Sequence, residues 1–155
     1  MPIVVTLAGT PTGKGRPRFR RETGHTYTPE KTRDYETNLR IEAQHIMGDR
    51  PLLDGPLRVD VVAAFDVPKW SAKRRTQALA GGILPTKKPD ADNLLKVLDA
   101  LNGVVWLDDS QIVVSSVRKV YAPKPSFTVT IEPIILPGVS EMPSRRRTKI
   151  VDIFA

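Results

Sequence analysis

The sequence predicts a single α+β domain with a mixed β-sheet and about three helices. Its 155 residues fit one domain and leave little room for two. Hydrophobic residues make up 40% of the chain and charged residues 26%, a balance typical of a folded protein with a core. Strand and helix patterns are mixed without a regular βαβ alternation and without an internal repeat, which favours the α+β class.

The first third of the chain predicts a strand, a long loop and a helix. The β-branched run Ile3–Ala8 indicates a strand, and a loop rich in Gly, Pro and Arg follows over residues 9–24. Thr28-Pro29-Glu30 combines a Thr cap, Pro at the first position and an acid, so it predicts a helix start. This helix should run to about Met47 and stop at Gly48. Its apolar face consists of Tyr35, Leu39, Ala43, Ile46 and Met47.

The clearest strand pattern lies in the middle of the chain. Apolar and polar side chains alternate over Leu57–Val67, as in a half-buried strand. Ser71 then caps a short basic helix that reaches Ala80, and residues 81–89 form a loop.

A third helix is predicted from about Asp92 to Asn102-Gly103, which is a favourable C-terminal signal. A short strand over residues 104–107 and a turn at residues 108–110 should follow. This segment carries most of the chain's clustered acidic residues.

The C-terminal third predicts a hairpin and a tail. Residues 112–121 and 126–132 have strand patterns and are expected to pair around a turn that contains two prolines. From residue 133 to residue 155 the chain is Pro-rich and then basic, so we interpret it as a tail after a domain of residues 1–132.

Composition excludes several classes of protein. The absence of cysteine rules out disulfide scaffolds, zinc–thiolate sites, iron–sulfur clusters and cysteine nucleophiles, and two histidines are too few for a His-rich metal site. The longest apolar run, Val61–Phe65, is far shorter than the roughly 20 residues of a membrane span. The N-terminus has no signal-peptide pattern, so a cytoplasmic protein is expected.

Net charge is the strongest global signal. A formal charge of +7 and a pI near 9.9 indicate a polyanionic partner, with nucleic acid ahead of a membrane surface. The candidate DNA contacts form two groups, Lys14, Arg16, Arg18 and Arg20 in the first loop and Lys73, Arg74 and Arg75 in the basic helix. A third basic run, residues 145–149, lies in the tail. Solvated loops or helix faces remain the alternative interpretation of such runs. Gly13-Lys14-Gly15 lacks the spacing of a Walker motif.

The acidic cluster is the candidate for chemistry. At about 100° per residue, Asp92, Lys96 and Asp99 lie within roughly 60° of one another on a helix. Asp90 stands just before that helix, and Asp108-Asp109 follows it. Carboxylates without His or Cys suit Mg²⁺ or Mn²⁺, and a metal beside a lysine is what phosphodiester hydrolysis requires. The alternative is structural: helix capping, an ordinary i,i+4 pair and a plain turn.

Three motifs resemble the RusA family of Holliday junction resolvases, particularly its phage and prophage members. They are Pro89-Asp90-Ala91-Asp92-Asn93-Leu94-Leu95-Lys96, Leu98-Asp99-Ala100-Leu101-Asn102-Gly103 and Trp106-Leu107-Asp108-Asp109-Ser110-Gln111-Ile112. Gly13-Lys14-Gly15-Arg16-Pro17-Arg18-Phe19 and the Tyr27-Thr28-Pro29 helix start also look like that family. The resemblance spans roughly residues 5–132.

The resemblance implies a small homodimeric Mg²⁺-dependent endonuclease, with Mn²⁺ as a possible substitute, that resolves four-way DNA junctions by paired nicks in recombination and repair. By position, Asp90, Asp92 and Asp109 match the family's metal-binding acids, with Asp108 as the alternative to Asp109. Lys96 matches its catalytic lysine. The competing hypothesis is a non-catalytic DNA-binding module whose acids only cap and solvate.

Overall fold

The computed structural model describes residues 1–27 and 29–136, and within them it contains three α-helices and a four-stranded mixed sheet. The predicted α+β class is therefore confirmed. The strands are β1 (Ile3–Ala8), β2 (Arg18–Phe19), β3 (Thr26–Tyr27), β4 (Leu57–Asp66), β5 (Ile112–Ala122) and β6 (Ser126–Pro133). The helices are α1 (Glu30–Met47), α2 (Ala72–Leu79) and α3 (Ala91–Lys96), with 3₁₀ helices at Val97–Leu101 and Asp109–Gln111.

Two predictions fall on residues outside the described part of the chain. These are the cap expected of Thr28 and the tail beyond Leu136. Pro29, expected at the first helical position, is instead the N-cap residue of α1, which begins at Glu30. Within residues 1–27 and 29–136, every helix is too short or too polar to cross a bilayer.

The sheet has the order β1-β6-β4-β5. β6 is antiparallel to both β1 and β4, whereas β5 runs parallel to β4. Consequently β1, β4 and β5 all end at the same edge of the sheet, which we call the carboxyl edge. A separate ribbon, β2–β3, forms inside the segment predicted as loop and helix start.

The predicted hairpin between β5 and β6 is wrong, because β4 lies between them. The two strands are joined by Pro123, Lys124 and Pro125. Tight two-residue hairpins need positive φ at their central positions, whereas the ring of proline holds φ near −65°. A short extended linker instead spans the roughly 10 Å across one intervening strand.

The core lies between one face of the sheet and the helices α1 and α3. The predicted alternation of β4 is confirmed, since its inward side chains are almost fully buried while Arg58 is exposed. The apolar face of α1 is largely confirmed, although Ile46 is 41% exposed. Fully burying each Val or Leu contributes roughly 1.5–3 kcal/mol. The principal core residues are Leu39, Ala43, Met47, Leu57, Val59, Val61, Leu94, Val97, Leu101, Trp106, Phe127, Val129 and Ile131.

The third helix is confirmed, but its second half is 3₁₀ from Val97 to Leu101. The short strand predicted over residues 104–107 is wrong. Trp106 makes isolated bridges to Leu53 and Asn102, and Gly103 N donates to its carbonyl at 2.7 Å, which closes a turn here. The Trp106 ring is fully buried, and its Nε1 donates to Asn102 Oδ1 at 2.6 Å.

Candidate active site

Asp90 is the N-cap residue of α3, but its carboxylate does not cap the helix. Its backbone is extended, with φ −69° and ψ 151°, and its carbonyl accepts from Leu94 N at 3.1 Å. No side-chain capping hydrogen bond is formed. A purely structural role predicts such a bond at this position, and its absence leaves the Asp90 carboxylate available for a ligand.

Asp92 and Lys96 form an ion pair one turn apart on the solvent face of α3. The Lys96 Nζ lies 3.0 Å from Asp92 Oδ2, and the two side chains are 56% and 74% exposed. The apolar back of the helix, at Leu94 and Val97, is fully buried as predicted. The front of α3 is therefore accessible to a large ligand.

Asp108 and Asp109 occupy different environments although they are adjacent. Asp108 forms a capping box with Gln111, and its carboxylate also accepts from the Ser110 hydroxyl. The hydrogen bond from Ser110 lowers the pKa of Asp108 below its usual value. Asp109 is the exposed first residue of the 3₁₀ helix. The oxygens of Asp108 are thus engaged within the turn, whereas Asp109 is exposed.

Gln111 fixes this turn to the segment before β4. Its amide nitrogen donates to the carbonyls of Leu53 at 3.0 Å and Gly55 at 3.1 Å. Its amide oxygen accepts from the backbone of Leu107 at 3.0 Å and Asp108 at 3.2 Å. One side chain therefore places the Asp108-Asp109 turn at the edge of the sheet where β4 and β5 begin.

The part of the first loop that precedes β2, residues 9–17, is docked onto the start of α3. Lys14 N donates to Asn93 O at 2.9 Å, and Gly15 N donates to the hydroxyl of Thr32 at 3.0 Å. A Cβ on Gly13 would lie 2.7 Å from the Cβ of Pro89, so no larger residue fits there. The Gly13-Lys14-Gly15 motif thus packs this loop closely against the starts of α3 and α1.

A cleft of about 920 Å³ opens between this loop and the starts of α1 and α3. Asp90 is its acidic side chain, and Asn93 also lines it. Its cationic lining residues are Lys14, Arg16, Arg18, Lys31 and Lys88. The cleft therefore combines an uncapped carboxylate with an excess of positive charge.

Two of these cations, Lys31 and Lys88, were not among the residues selected from the sequence. Lys88 stands two residues before Asp90, and that proximity was a usable signal. Lys31 lies in the first turn of α1 and reaches the cleft only because α1 packs beside the first loop, so no local pattern could have indicated it.

The remaining predicted DNA contacts lie outside this cleft. The Arg74 guanidinium stacks over the Trp70 ring at 4.1 Å, and Trp70 in turn meets Tyr121 edge-on at 5.5 Å. Lys73 and Arg75 are exposed on the same helix, and Arg20 stacks over Tyr27 at 4.9 Å. Because α2 follows β4 and the first loop follows β1, both basic segments emerge from the carboxyl edge of the sheet.

The predicted metal ligands are only partly brought together. In the described ranges, no three His, Asp or Glu side chains lie close enough to hold a metal ion jointly. Asp90 and Asp92 start α3, whereas Asp109 starts the later 3₁₀ helix. Mg²⁺ nevertheless takes typically one or two protein carboxylates and completes its shell with waters and substrate phosphates. The uncapped Asp90 and its neighbour Asp92 fit such an ion when DNA is present.

Comparison with known proteins identifies the family. The family model described as Endodeoxyribonuclease RusA matches residues 8–132, which is most of the chain and contains every element of the cleft. The chain is also similar to an uncharacterized protein, YqaN, from Bacillus subtilis (strain 168), at 36% identity over 141 residues. That alignment covers 85% of this chain and 96% of YqaN. The chain belongs to the RusA family of endodeoxyribonucleases.

Proposed function

We propose that the protein is a Mg²⁺-dependent endonuclease that resolves four-way DNA junctions by paired phosphodiester nicks during recombination and repair. The observation that carries this proposal is the cationic cleft with the uncapped Asp90 carboxylate inside it. Four cations beside one carboxylate, Arg16, Arg18, Lys31 and Lys88, suit a polyanion whose backbone must approach an acid. Family membership supplies the reaction class.

Each side chain has a distinct role in this proposal. Asp90 and Asp92 would hold the ion from the start of α3, and Asp109, on the separate turn before β5, stays the predicted third acid. A Mg²⁺ ion held by these carboxylates would supply Lewis-acid polarisation of the scissile phosphate and a bound water of lowered pKa. Lys96 stands one helical turn from Asp92 and stabilises negative charge on the phosphate. Arg16, Arg18, Lys31 and Lys88 hold the DNA backbone along the cleft.

The direct test is incubation of the protein with a labelled four-way junction, with and without Mg²⁺. We expect metal-dependent nicks in the junction and far fewer in a linear duplex or a flap of equal length. Junction binding without nicks, with Mg²⁺ or Mn²⁺ present, would instead favour the non-catalytic DNA-binding module.

Replacing both Arg16 and Arg18 with Ala is expected to weaken binding to every DNA shape. Each lost phosphate contact should reduce the slope of log affinity against log salt by about 0.9. The measurement is a salt titration of binding without metal. Arg50→Ala is the matched control, since Arg50 is exposed beyond the far end of the 18-residue helix α1. An unchanged salt slope in the double variant would mean that Arg16 and Arg18 do not contact the DNA phosphates.

We also propose that the protein acts as a homodimer. A junction needs two cuts on strands related by approximate two-fold symmetry, and each chain carries one set of these acids. A C₂ dimer supplies two sites with matching symmetry. Sedimentation should therefore show a dimer at micromolar concentration, and a monomer that still makes paired nicks would contradict this.

A further inference from the structure

Lys14 points away from the solvent although it belongs to a strongly basic loop. Its ammonium forms ion pairs with Asp99 and, at 3.1 Å, with Glu36. The Lys14 side chain is 25% exposed, and those of Glu36 and Asp99 are 19% and 39% exposed. The three side chains thus form a partly buried cluster that joins the first loop, α1 and the 3₁₀ helix after α3.

The charge of Lys14 is stable in this cluster. Burial by itself lowers the pKa of Lys14, but hydrogen bonds and charges from Asp99 and Glu36 outweigh it and raise the pKa above the ordinary value. The lysine therefore stays protonated at neutral pH with two carboxylates already beside it. An ammonium neutralised in this way has little charge left for a DNA phosphate.

The backbone on both sides of Lys14 is held by the same framework. Gly13 fits against Pro89 and Asn93, and a Cβ on Gly15 would lie 2.9 Å from the Thr32 hydroxyl. Lys14 N donates to Asn93 O, and Asn93 lies between Asp92 and Lys96 along α3. The side-chain cluster and the backbone bonds therefore both hold the first loop in one position relative to the start of α3.

Resting on the proposed function, we propose that Lys14 is a positioning residue. Its ion pairs with Asp99 and Glu36 hold the DNA-binding arginines of the loop, Arg16 and Arg18, in register with Asp90 and Asp92. The loop can then deliver a phosphate to the acids only in one placement. Lys14 differs in this from Arg16 and Arg18, which contact the DNA itself.

A mutant cycle on Lys14 and Asp99 separates positioning from DNA contact. Lys14→Met and Asp99→Asn remove opposite charges, yet both break the same ion pair. We expect each to lower the single-turnover nicking rate about tenfold, because displacements of about 1 Å can cost up to 10²-fold. The double variant should be no slower than the worse single variant. Lys14→Arg should restore most of the rate, and Asp49→Asn is the exposed control.

Two readouts do not depend on nicking. The salt slope of DNA binding should be unchanged in Lys14→Met, whereas loss of a phosphate contact lowers it by about 0.9. Hydrogen exchange of the amides at positions 14 and 15, bonded to Asn93 and Thr32, should accelerate about tenfold in Asp99→Asn. Amides of β4 should keep their protection, which shows that the fold is intact.

The proposal would be overturned by a reduced salt slope of DNA binding in Lys14→Met, combined with tighter DNA binding and unchanged amide exchange in Asp99→Asn. Lys14 would then be a phosphate contact. Failure of the wild-type protein to nick any junction would reject the proposed function instead. In that case the exchange experiment still decides whether Lys14 anchors the loop.

Discussion

Asp90→Asn and Asp92→Asn are each expected to abolish cleavage of a four-way junction while junction binding survives or tightens. Each change removes a proposed carboxylate ligand of Mg²⁺ and also one negative charge on the surface proposed to face the DNA phosphates. The structural support for this prediction is strongest at Asp90, because its carboxylate lines the cationic cleft and makes no capping hydrogen bond. Loss of the Asp90 charge should therefore cost the helix little stability.

Single-turnover nicking and gel-shift binding on the same junction measure the two effects separately. The control is Asp108→Asn, since Asp108 is held within its own turn by Ser110 and Gln111. It should retain most of the nicking activity, whereas Asp109→Asn should lose it. Near-normal nicking by both the Asp90 and the Asp92 variants would reject the assigned metal site. Equal loss at Asp108 and Asp109 would mean that the turn itself, and not one carboxylate, is needed.

Lys96→Ala is expected to lower the nicking rate by roughly 10²–10³-fold, the range for loss of one electrostatic stabiliser. Lys96 lies on the exposed front of α3 beside Asp92, so its ammonium is accessible to a DNA phosphate. The Mg²⁺ concentration for half-maximal activity should stay nearly unchanged, because a lysine does not ligate the metal. The Asp90 and Asp92 variants should instead shift that concentration or show no activity at any concentration.

The observed Asp92–Lys96 ion pair also has a purely structural explanation, which predicts little change in the nicking rate of Lys96→Ala. An exposed i,i+4 pair contributes roughly 0.2–0.5 kcal/mol of helix stability, so its loss would hardly change the rate. Urea denaturation and single-turnover kinetics on Lys96→Ala and Lys96→Met distinguish the two roles. A folded variant that nicks junctions within about threefold of the wild type would remove Lys96 from the mechanism.

Local sequence was sufficient wherever an element is specified by its own residues. The 3.6-residue period and Gly48 define the body and the end of α1, and strict alternation defines β4. The apolar back and charged front of α3 follow from the same rule, and so does the core position of Leu94. The acidic motif and its family resemblance could be recognised from the sequence because their residues are close together in the chain.

Strand pairing was not determined in this way. β5 and β6 are consecutive and carry strand patterns, yet β4 lies between them because the two prolines of their connection cannot form a tight turn. The four residues predicted to form a strand around Trp106, residues 104–107, were also misassigned. Backbone bonds to Leu101 and Gly103 close a turn there, and the buried indole is held by Asn102.

The fold class, the main elements, the family and the acidic residues proposed for catalysis could all be predicted from local sequence, because the residues that indicate each of them are close together in the chain. Tertiary structure alone decided which charges are free and which are paired. It neutralised Lys14 with Glu36 and Asp99, which are far away in the chain, and brought Lys31 to the cleft. The physical reason is that the environment of a charge depends on through-space distances of a few ångströms, which only the packing of separate elements sets.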